Sequence, residues 1–193
     1  GMMTLLRGVI LVYTKGSPIP IKVDSYKFFG KGSIAGIPVP VIILIVVFLL
    51  AHYILTQTTY GRSVYAVGGN REAARLSGIR VKTSEFLVYT LNGLMCGMAG
   101  LILTARLGSA QSTSGTGIEM DAIAAVILGG TSLSGGVGFV LPTVVGAMIM
   151  GIIDNILTLM NVNPHATNIV KGAVILIAVL VDKKVKDLSA KAE

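Results

Sequence analysis

The chain has 193 residues, 53% of them hydrophobic and 13% charged, with a mean hydropathy of +0.80 and a formal charge of +7. That leaves too little polar surface for a water-soluble domain, and the 16 Lys and Arg lie between apolar blocks and at the C-terminus. No basic, aromatic-rich face results, which excludes nucleic acid as a partner and leaves the lipid bilayer as the solvent.

An unpaired backbone N–H or C=O in hydrocarbon costs several kcal/mol, so the apolar blocks are helices; strands of a barrel would alternate, and these blocks do not. Residues 1–13 have neither a basic start nor a small-residue cleavage site, so they are no signal peptide. They read as the outer end of a helix whose beginning is missing, and the chain is expected to be the C-terminal portion of a longer one. After a loop over 14–37, Pro38 and Pro40 open the block 39–55, which spans about 25 Å as a helix. The charged segment 57–84 separates it from the block 86–105, where Gly93 and Gly97 put two bare patches on one face for close helix approach. Cys96, the chain's one cysteine, lies in this block as a small packing residue and can form no intramolecular disulfide.

The run 122–130 is too short to cross a bilayer and leads into the helix-breaking TSLSGGVG of 131–138. A long block, 139–160, follows, and a last one, 166–181, ends at Asp182, Lys183 and Lys184. The chain is thus one transmembrane domain over 1–193: an all-α, polytopic helical bundle with four or five membrane helices, a partial helix and a short re-entrant or broken one.

Arg62, Arg71, Arg75, Arg80 and Lys82 place 57–84 in the cytoplasm, and Lys183, Lys184, Lys186 and Lys191 do the same for the tail 182–193. The outer loop 14–37 dissents with Lys15, Lys22, Lys27 and Lys31, but the two richer segments decide. The block 86–105 then runs outward and the last block inward, so 122–160 must form a hairpin that enters and leaves on the outer side. The SGGVG break lies near its deepest point.

Within 61–79 (GRSVYAVGGNREAARLSGI), Asn70 is a natural cap, EAARL a helical run and Gly78 its stop. So short an exposed helix gains stability by docking onto a partner. The segment resembles the coupling loop of ABC importer permeases, with Glu72, Ala73, Ala74 and Gly78 matching the family's EAA and following glycine. The stretch 115–138 (GTGIEMDAIAAVILGGTSLSGGVG) is similar to that of permeases for ribose, xylose, galactose and related sugars. The ending 169–184 (IVKGAVILIAVLVDKK) fits the same group, and LLRGVILVYTKGSPIP (5–20) looks most like the ribose member.

The resemblance implies an ABC importer permease fold with a cytoplasmic coupling helix, in a bacterial inner membrane. It also implies a sugar, ribose first, as cargo, no bond chemistry in the chain itself, and ATP bound by a partner ATPase subunit. The other implied partners are a periplasmic sugar-binding protein and a second permease copy. Coupling to the ATPase falls by this likeness to Asn70, Glu72, Ala73, Ala74, Arg75, Leu76, Gly78 and Ile79.

Polar residues within or beside the apolar blocks are candidates for the translocation pathway: Asp121, Thr131, Ser132, Asp154 and Asn155. Asp121, directly before the short helix, has the simpler reading of an N-terminal cap, and Glu119 and Gln111 lie in the same outer region. Lys171 is expected to snorkel or pair. His52 and His165 have no third ligand nearby, so no metal site is expected, and TSLSGGVG lacks the lysine of a phosphate-binding loop. Two other classes remain: an intramembrane protease built on Asp121 and Asp154, which needs the two carboxylates to meet, and a channel or secondary transporter, which needs no docking helix.

Overall fold

A computed structural model describes residues 1–189, organised in two compact units. The first combines 1–49 with 86–116, the second 50–85 with the residues from 117 onward.

Helix α1 covers Met2–Thr14 and is followed by the two-residue strand β1, Ile19–Pro20. The loop expected over 14–37 carries further structure: α2, Asp24–Lys31, and a hairpin of β2, Ser33–Ile34, with β3, Ile37–Pro38. Ala35 (φ 52°) and Gly36 (φ 83°) make its turn, the left-handed pair that matches the twist of a hairpin. Helix α3, Val39–Gln57, is apolar on every side, and Leu44, Val46, Leu49 and Leu50 lie on its surface, as a lipid-facing helix requires.

Helix α4, Thr59–Gly69, and α5, Arg71–Leu76, occupy the charged segment, and α6, Val81–Leu107, begins five residues before the expected block. Strand β4, Ser109–Ala110, pairs antiparallel with β1, matching Ile19 to Ala110. In the first unit Tyr26 of α2 shares a 2.7 Å hydroxyl hydrogen bond with Thr104 of α6. Gly30 lies so close to the backbone of Ala105 and Arg106 that a side chain would collide with it. The open face of α6 is different: a methyl group built on Gly93, Gly97 or Gly100 meets nothing within 4 Å.

Helix α7, Ile118–Leu128, packs along α8, Val140–Leu159, and against α9, Pro164–Ser189, which α8 reaches through the pair of Asp154 and Lys171. Two glycines bring the hairpin together, since a side chain at Gly146 would strike the Ala125 carbonyl and one at Gly129 the backbone of Pro142 and Thr143. The buried core lies here, with Ala124, Ala125 and Met150 enclosed by Ile153, Val174 and Ile175.

Among the described residues three helices, α3, α6 and α8, are long and apolar enough to cross a membrane, against the four or five expected. The block 166–181 is part of the 26-residue α9, but its apolar run, Ala166–Leu180, is shorter than the other three. The expected tail is helical as far as Ser189, and the remainder, Lys191 included, lies outside the described residues.

Candidate functional site

The first candidate region is the segment carrying α4 and α5. Asn70 caps α5 through its side-chain oxygen, which accepts from the Glu72 and Ala73 amides at 3.1 and 3.0 Å. Gly78 (φ 82°) closes the other end: its N–H donates to Arg75 O at 3.0 Å and that of Ile79 to Ala74 O at 3.1 Å. This 5→2 and 6→1 pattern is a Schellman stop, which explains the glycine. Ala74 is buried, whereas Ala73 and Leu76 are exposed, Leu76 by 78%. Two ion pairs frame this small apolar face, Arg75 to Glu72 at 2.6 Å and Arg71 to Glu85 at 2.9 Å.

Thr58 caps α4 by accepting from the Gly61 amide at 3.1 Å. The helix rests on the 131–138 break, where Tyr65 donates its hydroxyl to the Gly138 carbonyl at 2.9 Å. Four glycines make the closest approach. A methyl at Gly68 would lie 3.0 Å from Gly136 N, one at Gly136 would lie 2.8 Å from Gly69 Cα, and one at Gly135 would strike the Gly68 carbonyl. Gly135 (φ 85°) and Gly136 (φ 76°) also adopt the left-handed backbone that glycine tolerates. Thr131 and Ser132 belong to this loop: the Thr131 amide donates to Val126 O to end α7, and Ser132 Oγ accepts from the Ser134 amide.

The second region lies where α7, α8 and α9 meet. Lys171 Nζ stands 2.8 Å from Asp121 Oδ2 and 2.9 Å from Asp154 Oδ1, with the three side chains 17%, 21% and 38% exposed. Asp121 is therefore not the cap it was expected to be. The N-cap position is Gly117 (φ 89°), whose amide is taken by Glu119 Oε2 at 3.1 Å, and Asp121 stands inside the first turn facing α9. An isolated charge in an apolar bundle is costly, and a cation shared by two carboxylates is the compensation.

Asp154 and Lys171 also line a cleft of about 770 Å³ with Thr158, Asn161, Val162, Asn163, Thr167 and Asn168. Of the expected pathway residues the structure joins Asp121 and Asp154. It separates Thr131 and Ser132 from them and leaves Asn155 exposed, outside the cleft lining. Lys171 and the asparagines of the turn go beyond the candidates drawn from sequence. The signal for Lys171 was a lone lysine within an apolar run; the asparagines, lying between two blocks, looked like loop. Among the described residues no group of three or more His, Cys, Asp and Glu side chains is placed to hold a metal.

A family model described as "Branched-chain amino acid transport system / permease component" matches residues 1–179. The ribose import permease protein RbsC of Escherichia coli (strain K12) is 52% identical over 187 residues, covering 95% of this chain and 58% of the relative. Its namesake in Bacillus subtilis (strain 168) is 50% identical over 184 residues, 94% of this chain and 57% of that one. The xylose transport system permease protein XylH of Escherichia coli (strain K12) is 48% identical over 151 residues, 78% of this chain and 38% of its own. No solved structure matches. The chain thus spans a little over half the length of the ribose permeases it matches.

Proposed function

The chain belongs to the family of permease components of branched-chain amino acid transport systems, and on that premise we propose that it acts in an inner-membrane permease that imports a monosaccharide, ribose first, at the expense of ATP. The observation that carries this reading is the identity of 52% to a ribose import permease across 95% of the chain. Xylose is the second reading, supported by the 48% identity to XylH over a shorter stretch.

In this proposal α5 is the docking element for a partner ATPase subunit. Its exposed face of Ala73 and Leu76 fits an apolar cleft, and the caps at Asn70 and Gly78 keep so short a helix formed before the partner arrives. The caps do not bind nucleotide; ATP belongs to the partner. A push on α5 reaches α4 through Asn70, which ends one helix and caps the other. From α4 it passes to the 131–138 loop at backbone contact, and so to both arms of the α7–α8 hairpin. Rigid close contact transmits displacement where long side chains would absorb it.

A periplasmic sugar-binding protein and a second permease copy complete the proposed assembly. The protease alternative finds no support, because Asp121 and Asp154 each face the Lys171 ammonium, whereas an acid pair must share a proton between its carboxylates.

The test is uptake of labelled ribose and xylose by the full-length permease reconstituted with its ATPase and binding protein. ATP-dependent accumulation of ribose is expected, and accumulation of xylose alone selects the second reading. Changing Ala73 and Gly78 to bulky charged residues is expected to abolish uptake while the protein still inserts; undiminished uptake refutes the docking role.

A further inference from the structure

Resting on the importer reading, we infer that the cleft between α8 and α9 is a transient docking subsite for a neutral polyol, which receives the sugar on the outer side of the pathway. It is an open groove of about 770 Å³, large enough for a monosaccharide, and seven of its eight lining residues, all but Val162, carry a polar group. The Asn161 and Asn168 carboxamides each bring an acceptor oxygen and a two-proton donor. The Thr158 and Thr167 hydroxyls donate to the Asp154 and Asn163 carbonyls at 2.7 and 3.4 Å, so each turns its remaining lone pairs into acceptors. Lys171 donates to Asp121 Oδ2 and stands 2.9 Å from Asp154 Oδ1, and both it and Asp154 line the cleft.

The lining thus supplies both donors and acceptors, as the hydroxyls of a sugar require, each being both. Charge argues against other ligands. Among the described lining residues Lys171 is the one cation, and Asp121 and Asp154 neutralise it, so an anionic solute finds no net attraction. A cation would have to displace Lys171 from two short ion pairs. Among the described lining residues there is no aromatic ring, and hydrogen bonds without a stacking face hold a sugar weakly enough for it to move on.

Depth agrees with this role. Asp154 lies fourteen residues beyond Val140, roughly 21 Å along α8 from the end that adjoins the 131–138 loop. With that loop on the side of α4 and α5, the cleft lies toward the opposite face.

The experiment compares the full-length permease with its Asn168→Leu, Thr158→Val double variant, using two readouts. In nanodiscs, saturation-transfer NMR with millimolar ribose is expected to show transfer to the sugar protons that the variant loses and Asn168→Gln alone retains. In the reconstituted importer, stimulation of ATP hydrolysis by the loaded binding protein is expected to persist. Ribose delivered per ATP falls about five- to tenfold, the effect of one or two lost hydrogen bonds. Equal transfer in variant and parent, or transfer to ribose 5-phosphate in preference to ribose, overturns the subsite. The importer reading fails separately, by absence of ATP-driven uptake in the parent protein, and the NMR comparison still decides the cleft.

Discussion

Lys171 holds its place because two carboxylates from different helices point at one ammonium. Lys171→Met leaves Asp121 and Asp154 without their counter-charge, and because Asp154 is 38% exposed the cost falls below about 3–5 kcal/mol, that of a fully buried pair. The expected outcome is a measurable fall in thermal stability in detergent, largely restored when Asp121→Asn and Asp154→Asn are added, because the neutral set no longer repels. A triple variant as unstable as the single one contradicts the account. Asn70 acts more locally. Replacing it with Ala removes a cap worth about 1 kcal/mol, so the Glu72 and Ala73 amides, which donate to it, should exchange with deuterium about fivefold faster while α8 stays protected.

At the scale of elements, glycines decide which helices touch. Gly146→Val forces a branched side chain against the Ala125 carbonyl, and neither backbone can yield without opening the α7–α8 hairpin. Destabilisation of about 3 kcal/mol, the upper end for overpacking, is expected in chemical denaturation. Gly68→Ala is a finer probe, since the added methyl lies 3.0 Å from Gly136 N and shifts the contact by tenths of an ångström. If α4 transmits movement to the hairpin, this variant should insert and hydrolyse ATP in its complex yet import less sugar per ATP. Parent-like transport ratios would show that the contact is mere packing. By contrast, Gly97→Ala, where a methyl meets nothing within 4 Å in this chain, is expected to leave the fold unaltered.

At the scale of the whole molecule the outstanding matter is which face each segment occupies. The positive-inside rule predicts a cytoplasmic position for 57–84, and the Tyr65 to Gly138 bond ties the helix break to that same segment. Exposed Ser77 and Gln111 allow a direct check through Ser77→Cys and Gln111→Cys in an otherwise cysteine-free full-length protein. A membrane-impermeant thiol reagent outside intact cells should label position 111 and spare position 77. The opposite pattern inverts the topology and removes α5 from the reach of any cytoplasmic ATPase.

How much of this was legible from the residues follows from the range of the forces involved. Hydrophobic blocks, the Asn70 cap and the Gly78 stop are local, so α3, α5 and α8 could be read directly, with ends shifted by a few residues. Helix α4 was not legible, because GRSVYAVGG is a poor helix former whose support comes from the 131–138 loop, more than sixty residues away. The same holds for Asp121, where nearness to a helix start pointed to a cap. A lysine fifty residues on provides a stronger electrostatic partner than the free amides do. Composition and pattern alone determined that this is a helical membrane protein, since backbone desolvation in lipid permits nothing else for such blocks. Only the tertiary structure decided which embedded charges pair and which glycines meet, because both depend on helices that sequence separates and packing brings together.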